Sequence, residues 1–109
     1  MEDKVLSFIG LCRKAGRLSS GHDAALEAVI KNKARLCLLT ADASDRLVRE
    51  FKKAAEYDGR RLDVIQTAYT MEQIRAATGL RAAVITIDDE GFAKKTAKLY
   101  KAVIEEETL

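Results

Sequence analysis

Leu36-Cys37-Leu38-Leu39-Thr40-Ala41-Asp42-Ala43-Ser44 decides the architecture. Four consecutive apolar side chains between Arg35 and Thr40 are too few for a helix, and their unbroken run suits a strand covered on both faces. Such a strand needs helices on both sides of its sheet. Upstream, Val5, Phe8, Ile9 and Cys12 recur at i, i+3, i+4 and i+7, predicting a helix that ends near Ala15-Gly16. Ser20-Gly21-His22-Asp23 reads as a capping-box start, Ser20 accepting from the first-turn amides while Asp23 folds back. The helix it opens turns Leu26, Val29 and Ile30 inward and runs to about Asn32.

Downstream, the strand ends near Thr40, and a third helix follows in which Leu47, Val48, Phe51 and Ala55 form the stripe and Asp58-Gly59 the stop. Val64-Ile65 makes a short strand. Thr70-Met71-Glu72-Gln73 is a capping box for a helix ending at Thr78-Gly79. Ala82 through Ile87 is the strongest strand candidate, and Asp88-Asp89 then places carboxylates where a helix start favours them. Phe92, Leu99, Val103 and Ile104 line the closing helix. Helices alternating with short buried strands, joined by short loops, predict an α/β layered sandwich formed as one domain over residues 1–109, without repeats or a linker.

Composition narrows the class. With 109 residues, 48% apolar and 33% charged, the chain is a soluble globular protein and neither disordered nor collagen-like. No apolar run approaches the roughly 18 residues of a membrane span, and Met1-Glu2-Asp3 is acidic where a signal peptide is basic, so a cytoplasmic protein without membrane contact is expected. Cys12 and Cys37 lie 25 positions apart with no histidine cluster, which fits neither a disulfide framework nor a zinc site. Both are expected to be reduced and buried.

The formal charge of +2 does not by itself announce nucleic acid. Its distribution says more. Residues 1–35 carry seven basic side chains against four acidic ones, and setting aside Glu105, Glu106 and Glu107 raises the whole chain from +2 to +5. Catalysis finds no complete set of groups: His22, the one histidine, sits at a helix start, and Asp42 and the Asp88-Asp89 pair, although they follow strands, serve equally as helix caps with Ser44. Arg13-Lys14-Ala15-Gly16-Arg17-Leu18-Ser19-Ser20-Gly21-His22 joins cations to a small-residue turn and a helix start. Physics alone leaves it open between a phosphate-holding site and a solvated loop followed by an ordinary cap.

Three stretches carry a resemblance. Leu11 to Gly21, Lys33 to Ser44, and Ala82 to Ala93 with its Asp88-Asp89-Glu90-Gly91-Phe92-Ala93 end together resemble the YlxQ-type bacterial family of the ribosomal seven-Ae and L-thirty-e superfamily, whose members bind kink-turn RNA. The likeness spans residues from about 5 to 104. It implies a three-layer α/β/α sandwich with a four-stranded mixed sheet, and a noncatalytic RNA-binding protein of ribosomal type with no cofactor and no metal.

In that superfamily the RNA grip comes from the first turn of the second helix, Gly-x-Asn-Glu-x-x-Lys, and from the loop after the fourth helix. Here the first element is Gly21-His22-Asp23-Ala24-Ala25-Leu26-Glu27: the glycine matches, Asp23 replaces Asn, Ala24 replaces Glu, and Glu27 reverses the charge of a lysine. In the second, Leu-Gly-x-Ala-x-Gly becomes Ile74-Arg75-Ala76-Ala77-Thr78-Gly79, with Arg75 in place of a glycine. The RNA-contacting residues expected on this basis are Lys14, Arg17, Ser20, Gly21, His22, Asp23, Lys33, Arg75, Gly79, Leu80 and Arg81. The expected partner is ribosomal or other structured RNA, bound by a monomer. A protein-interaction adaptor that keeps the sandwich but has lost kink-turn binding is the alternative, favoured by Ala24 and Glu27. A phosphoacceptor or small enzyme is the third possibility, and it lacks an active-site set.

Overall fold

A computed structural model describes residues 3–107, the side chains of Asp58 and Glu107 apart. Helix α1 (Lys4–Lys14) starts at Asp3, whose carboxylate accepts from the Val5 and Leu6 N–H groups at 2.8 and 3.0 Å, and it buries Val5, Phe8, Ile9 and Cys12. Strand β1 (Leu18–Ser20) follows, then α2 (His22–Ile30), β2 (Leu36–Leu39) and α3 (Asp45–Glu56), which closes with a 3-10 turn over Tyr57–Gly59. Strand β3 (Val64–Gln66), α4 (Met71–Thr78), β4 (Val84–Ile87) and α5 (Glu90–Glu107) complete the order.

The sheet runs β1-β4-β2-β3, with β2 and β3 parallel and the other pairs antiparallel. Side chains alternate across it. Leu36, Leu38, Ile85 and Ile87 pack with Val5, Phe8, Ile9 and Cys12 of α1, Ile74 of α4, and Ala93 and Tyr100 of α5. Cys37, Leu39 and Val84 face the other way, onto Ala25, Ala28 and Val29 of α2 and Val48 and Phe51 of α3. Three helices on one face and two on the other make the three-layer sandwich, and all four residues of β2 and of β4 are buried.

The Thr70 capping box is formed as its spelling predicts: the Thr70 hydroxyl accepts from Gln73 N–H and the Gln73 side chain accepts from Thr70 N–H. Both cysteines are buried free thiols. No helix among the described residues is long and apolar enough to cross a membrane.

Five expectations are corrected. Ser20 does not cap α2, because it is the last residue of β1, paired with Ile85, and the N-cap is Gly21 with no side-chain bond. The inward face of α2 is Ala25, Ala28 and Val29, while Ile30 is 55% exposed. Asp42 does not cap α3, which Ser44 does; its carboxylate instead accepts from Met71 N–H at 3.0 Å, in the first turn of α4. Asp89 alone of its pair caps α5, accepting from Phe92 N–H, whereas Asp88 accepts from the Ser19 and Thr86 hydroxyls. In α5, Ala93, Thr96 and Tyr100 are buried, and Ile104 is exposed.

Candidate nucleic-acid interface

Sheet register decides which loops meet. Ser20 pairs with Ile85 and Leu39 with Val84, so the end of β1, the end of β2 and the start of β4 lie at one edge. Two backbone bonds extend the pairing past the strands: Gly21 N–H donates to Val84 C=O at 3.0 Å, and Thr40 N–H to Ala83 C=O at 2.9 Å. The segment from Gly79 to Ala83 is thereby held between the start of α2 and the loop after β2. Thr78 pins its other end, donating to Ile74 C=O and accepting from Leu80 N–H.

α2 has an open N-terminus. Its first backbone bond runs from Ala25 N–H to Gly21 C=O, which leaves the His22, Asp23 and Ala24 N–H groups directed out of the helix end. Among the described residues, side chains serve this role at the other four helices: Asp3 at α1, Ser44 at α3, Thr70 at α4 and Asp89 at α5. Gly21 has φ 90° and ψ 165°, and a Cβ there would meet nothing within 4 Å. Glycine is therefore required by the backbone, and the space outside it is open. Uncapped amides carrying the positive end of a helix dipole make an anion site.

His22 stands over this end. Its Nδ1 lies 2.9 Å from Asp23 Oδ1 and its Nε2 2.9 Å from Glu50 Oε2, while its ring sits edge-on to Phe51. Hydrogen bonds to Asp23 and then to Glu50 raise its pKa above the ordinary histidine value, since only the doubly protonated ring can donate to both carboxylates. Across the edge, Arg81 is exposed, close enough that its charge helps to hold the Asp42 and Glu72 carboxyls down. For Asp42 the larger cause is the neighbouring Thr40 hydroxyl, and for Glu72 it is the bond from Arg75. Arg75 donates through Nε at 2.9 Å and through Nη2 to Glu72, one turn away.

Glu27 is tied to Lys31 at 2.6 Å, and Lys31 first, then Lys33, hold its carboxyl below the ordinary range. The sign reversed in the helix motif is thus locally answered. Ser20, Gly21, His22, Asp23, Gly79, Leu80 and Arg81 come together at this edge. Lys14 lies in a groove between α1 and α4, beside Ala77. Arg17 and Lys33 are elsewhere: Asp88 N–H donates to Arg17 C=O and Arg35 N–H to Ile87 C=O, which places both cations at the opposite end of the strands.

Two contributors to the edge escape motif reading. A Cβ on Gly79 would come within 3.3 Å of the Arg13 guanidinium, so Arg13 of α1 sits against the loop. Glu50, from α3, holds His22. Helix phase puts Arg13 three residues from Gly10, whose own Cβ position lies 2.7 Å from Ala77 C=O, but nothing local says that this face meets α4. Glu50 is 28 residues from His22 and leaves no local signal.

Fold and edge together define a small three-layer α/β/α domain with an open helix N-terminus beside an arginine-bearing loop at one end of its sheet. No protein-family model matches the chain. It is 30% identical over 97 residues to the RNA-binding protein YlxQ of Enterococcus faecium, spanning 88% of this chain and 90% of that protein. The chain belongs to the YlxQ family. RNA-binding protein YlxQ of Bacillus subtilis is 27% identical over 97 residues, spanning 84% of this chain and 90% of that one. Among solved structures, a protein with unknown function from Bacillus halodurans superposes with a TM-score of 0.79 at 26% identity, covering 92% of this chain and 99% of its own. A 15.5 kD RNA-binding protein of Giardia lamblia superposes with a TM-score of 0.66 at 18% identity, over 96% of this chain and 92% of its own, and so shares the fold.

Proposed function

We propose that the chain is a noncatalytic RNA-binding protein of ribosomal type that takes sharply bent, kink-turn-like RNA at the edge formed by the start of α2 and the segment from Gly79 to Ala83. The observation that carries this reading is the uncapped, sterically open α2 N-terminus beside an arginine-bearing loop, in a family whose named members are RNA-binding proteins. A bent backbone brings phosphates from two strands close together. The His22, Asp23 and Ala24 amides receive one of them, and protonated His22 offsets the charge of Asp23 and Glu50 nearby. Arg81 meets the second strand, Gly79 lets the backbone approach, and Leu80 offers apolar surface to a base. Arg75, engaged by Glu72, contributes charge at a distance.

The adaptor alternative rested on Ala24 and Glu27. With Glu27 paired to Lys31, a repulsive charge no longer stands alone against phosphate, and the RNA reading is the better supported. The test is a titration of the full chain with a kink-turn RNA and with a straight duplex of equal length, repeated between 50 and 200 mM salt. Preference for the kinked RNA, with an affinity that falls steeply with salt and about tenfold on Arg81→Gln, is expected. Equal affinity for the two RNAs, or none for either, overturns the reading.

A further inference from the structure

At the far end of the sheet, where β1, β2 and β3 begin and β4 ends, a second charged surface has no part in the interface above. A cleft of about 580 Å³ is lined by Arg17, Lys33 and Arg35, and a neighbouring one of about 210 Å³ by Arg35, Arg60 and Arg61. Asn32 and Arg35 line both, so the two adjoin. The strands that carry these residues are spaced about 4.8 Å apart, so the row spans roughly 14 Å from β1 to β3.

Arg17, Lys33 and Arg61 are exposed and form no ion pair among the described residues. The carboxylates lining these two clefts are Asp63, Asp88 and Glu90, and Glu27, paired with Lys31, shares a further cleft with Lys33. Asp88 is turned to the Ser19 and Thr86 hydroxyls at 2.6 and 2.8 Å, and Glu90 is shared between Arg35 and Lys94 at 3.7 and 3.8 Å.

An aromatic ring completes the surface. Tyr57 is 71% exposed, and the Arg60 guanidinium lies 5.7 Å from its ring centroid. Arg60 is fixed there by donating to Ile30 C=O at 2.8 Å and Tyr57 C=O at 3.3 Å. The ring is held against Arg60 at one end of the row and keeps most of its surface open to solvent. A positive track flanked by an aromatic platform is how single-stranded nucleic acid is bound without sequence preference, phosphates on the cations and a base on the ring.

We propose that this end of the sheet is a second RNA contact, which takes a single-stranded segment along Arg17, Lys33, Arg35 and Arg61 with a base stacked at Tyr57. It rests on the RNA reading above only for the class of ligand, since it uses different residues and a different RNA shape. A bent RNA held at one end of the sheet would leave its single-stranded flank to be gathered at the other.

The test is fluorescence anisotropy of a labelled, unstructured 12-nucleotide oligouridylate with the full chain from 30 to 200 mM salt. The variant Arg17→Gln/Lys33→Gln/Arg61→Gln should bind about tenfold or more weaker at 50 mM, with a log–log salt slope shallower by roughly 2. Tyr57→Ala should weaken binding about fivefold with the slope unchanged. Arg81→Gln should leave oligouridylate binding as it was. Absence of binding by the unaltered chain, or equal binding by it, the triple variant and Tyr57→Ala, overturns the proposal. Oligouridylate binding without kink-turn binding would remove the first interface and leave this one standing.

Discussion

Gly21 is the position at which the RNA interface and the backbone make the same demand. At φ 90° and ψ 165° it occupies a region that only glycine enters freely, and nothing lies within 4 Å of where a Cβ would be. The cost of Gly21→Ala therefore comes from the backbone alone, about 1–3 kcal/mol. Against a domain stability of about 5–15 kcal/mol the variant stays folded, with a melting temperature lower by roughly 4–12 °C. Alanine relieves the strain by rotating the peptide toward negative φ, which turns the first α2 amides away and loosens the Gly21 N–H to Val84 C=O bond that anchors the neighbouring segment. Gly59→Ala is the control, since its φ of 76° is also left-handed, its Cβ also meets nothing, and it lies far from this edge in sequence and register. Both variants should melt lower, and Gly21→Ala alone should lose about tenfold or more in kink-turn affinity. A Gly21→Ala protein that melts lower and binds as tightly as before refutes the reasoning.

Glu27→Lys replaces a paired carboxylate with a cation about 9 Å along the helix from Gly21, so it should strengthen kink-turn binding several-fold at 50 mM salt and much less at 300 mM; an unchanged salt profile would contradict this. His22 has its pKa raised by Asp23 and Glu50, so its charge is present below the ordinary histidine value and is lost as pH rises through the raised one. RNA affinity should therefore fall as pH rises from 6 to 9, and His22→Asn should bind weakly with a flat profile, read by titration in matched salt. The Cys37 thiol, pushed up to about 12 by burial, should resist iodoacetamide at pH 8 in the folded protein and react once urea unfolds it; rapid labelling of the native chain would show an opening that the packing does not contain.

Elements with strong local chemistry were legible. The α1 stripe, the Thr70-Gln73 box and the apolar runs of β2 and β4 each carry their own instructions, and their placement follows from them. β1 does not. Leu18-Ser19-Ser20 is three half-buried residues that become a strand through pairing with Ile85, Thr86 and Ile87, almost seventy positions away. Without that pairing, Ser20 before a glycine has the spelling of a cap. Ile30 misled for a related reason: Ala25, Ala28 and Val29 form a face of small residues that lets α2 lie close to the sheet, and Ile30, one step around the helix, is left outside.

Ile104 is excluded by length, because an 18-residue helix of about 27 Å outruns strands of four residues, about 13 Å long. The interface divides the same way. Gly21 and Gly79 at its edge can be read from the family's motifs, whereas Arg13 against Gly79, Glu50 on His22, and the removal of Arg17 and Lys33 to the other end of the sheet follow from tertiary packing and register.

The proposed contact is between bent RNA and the α2 N-terminus with the neighbouring segment from Gly79 to Ala83. It is tested most directly by following backbone amide resonances of the isotope-labelled chain during titration with a kink-turn RNA. The largest shifts are expected at Gly21, His22, Asp23, Ala24, Leu80 and Arg81, with residues of α3 and α5 that face away from the edge little changed. Shifts centred on the α1–α4 groove around Leu11 and Ala76, with the His22 to Ala24 amides unmoved, would contradict it.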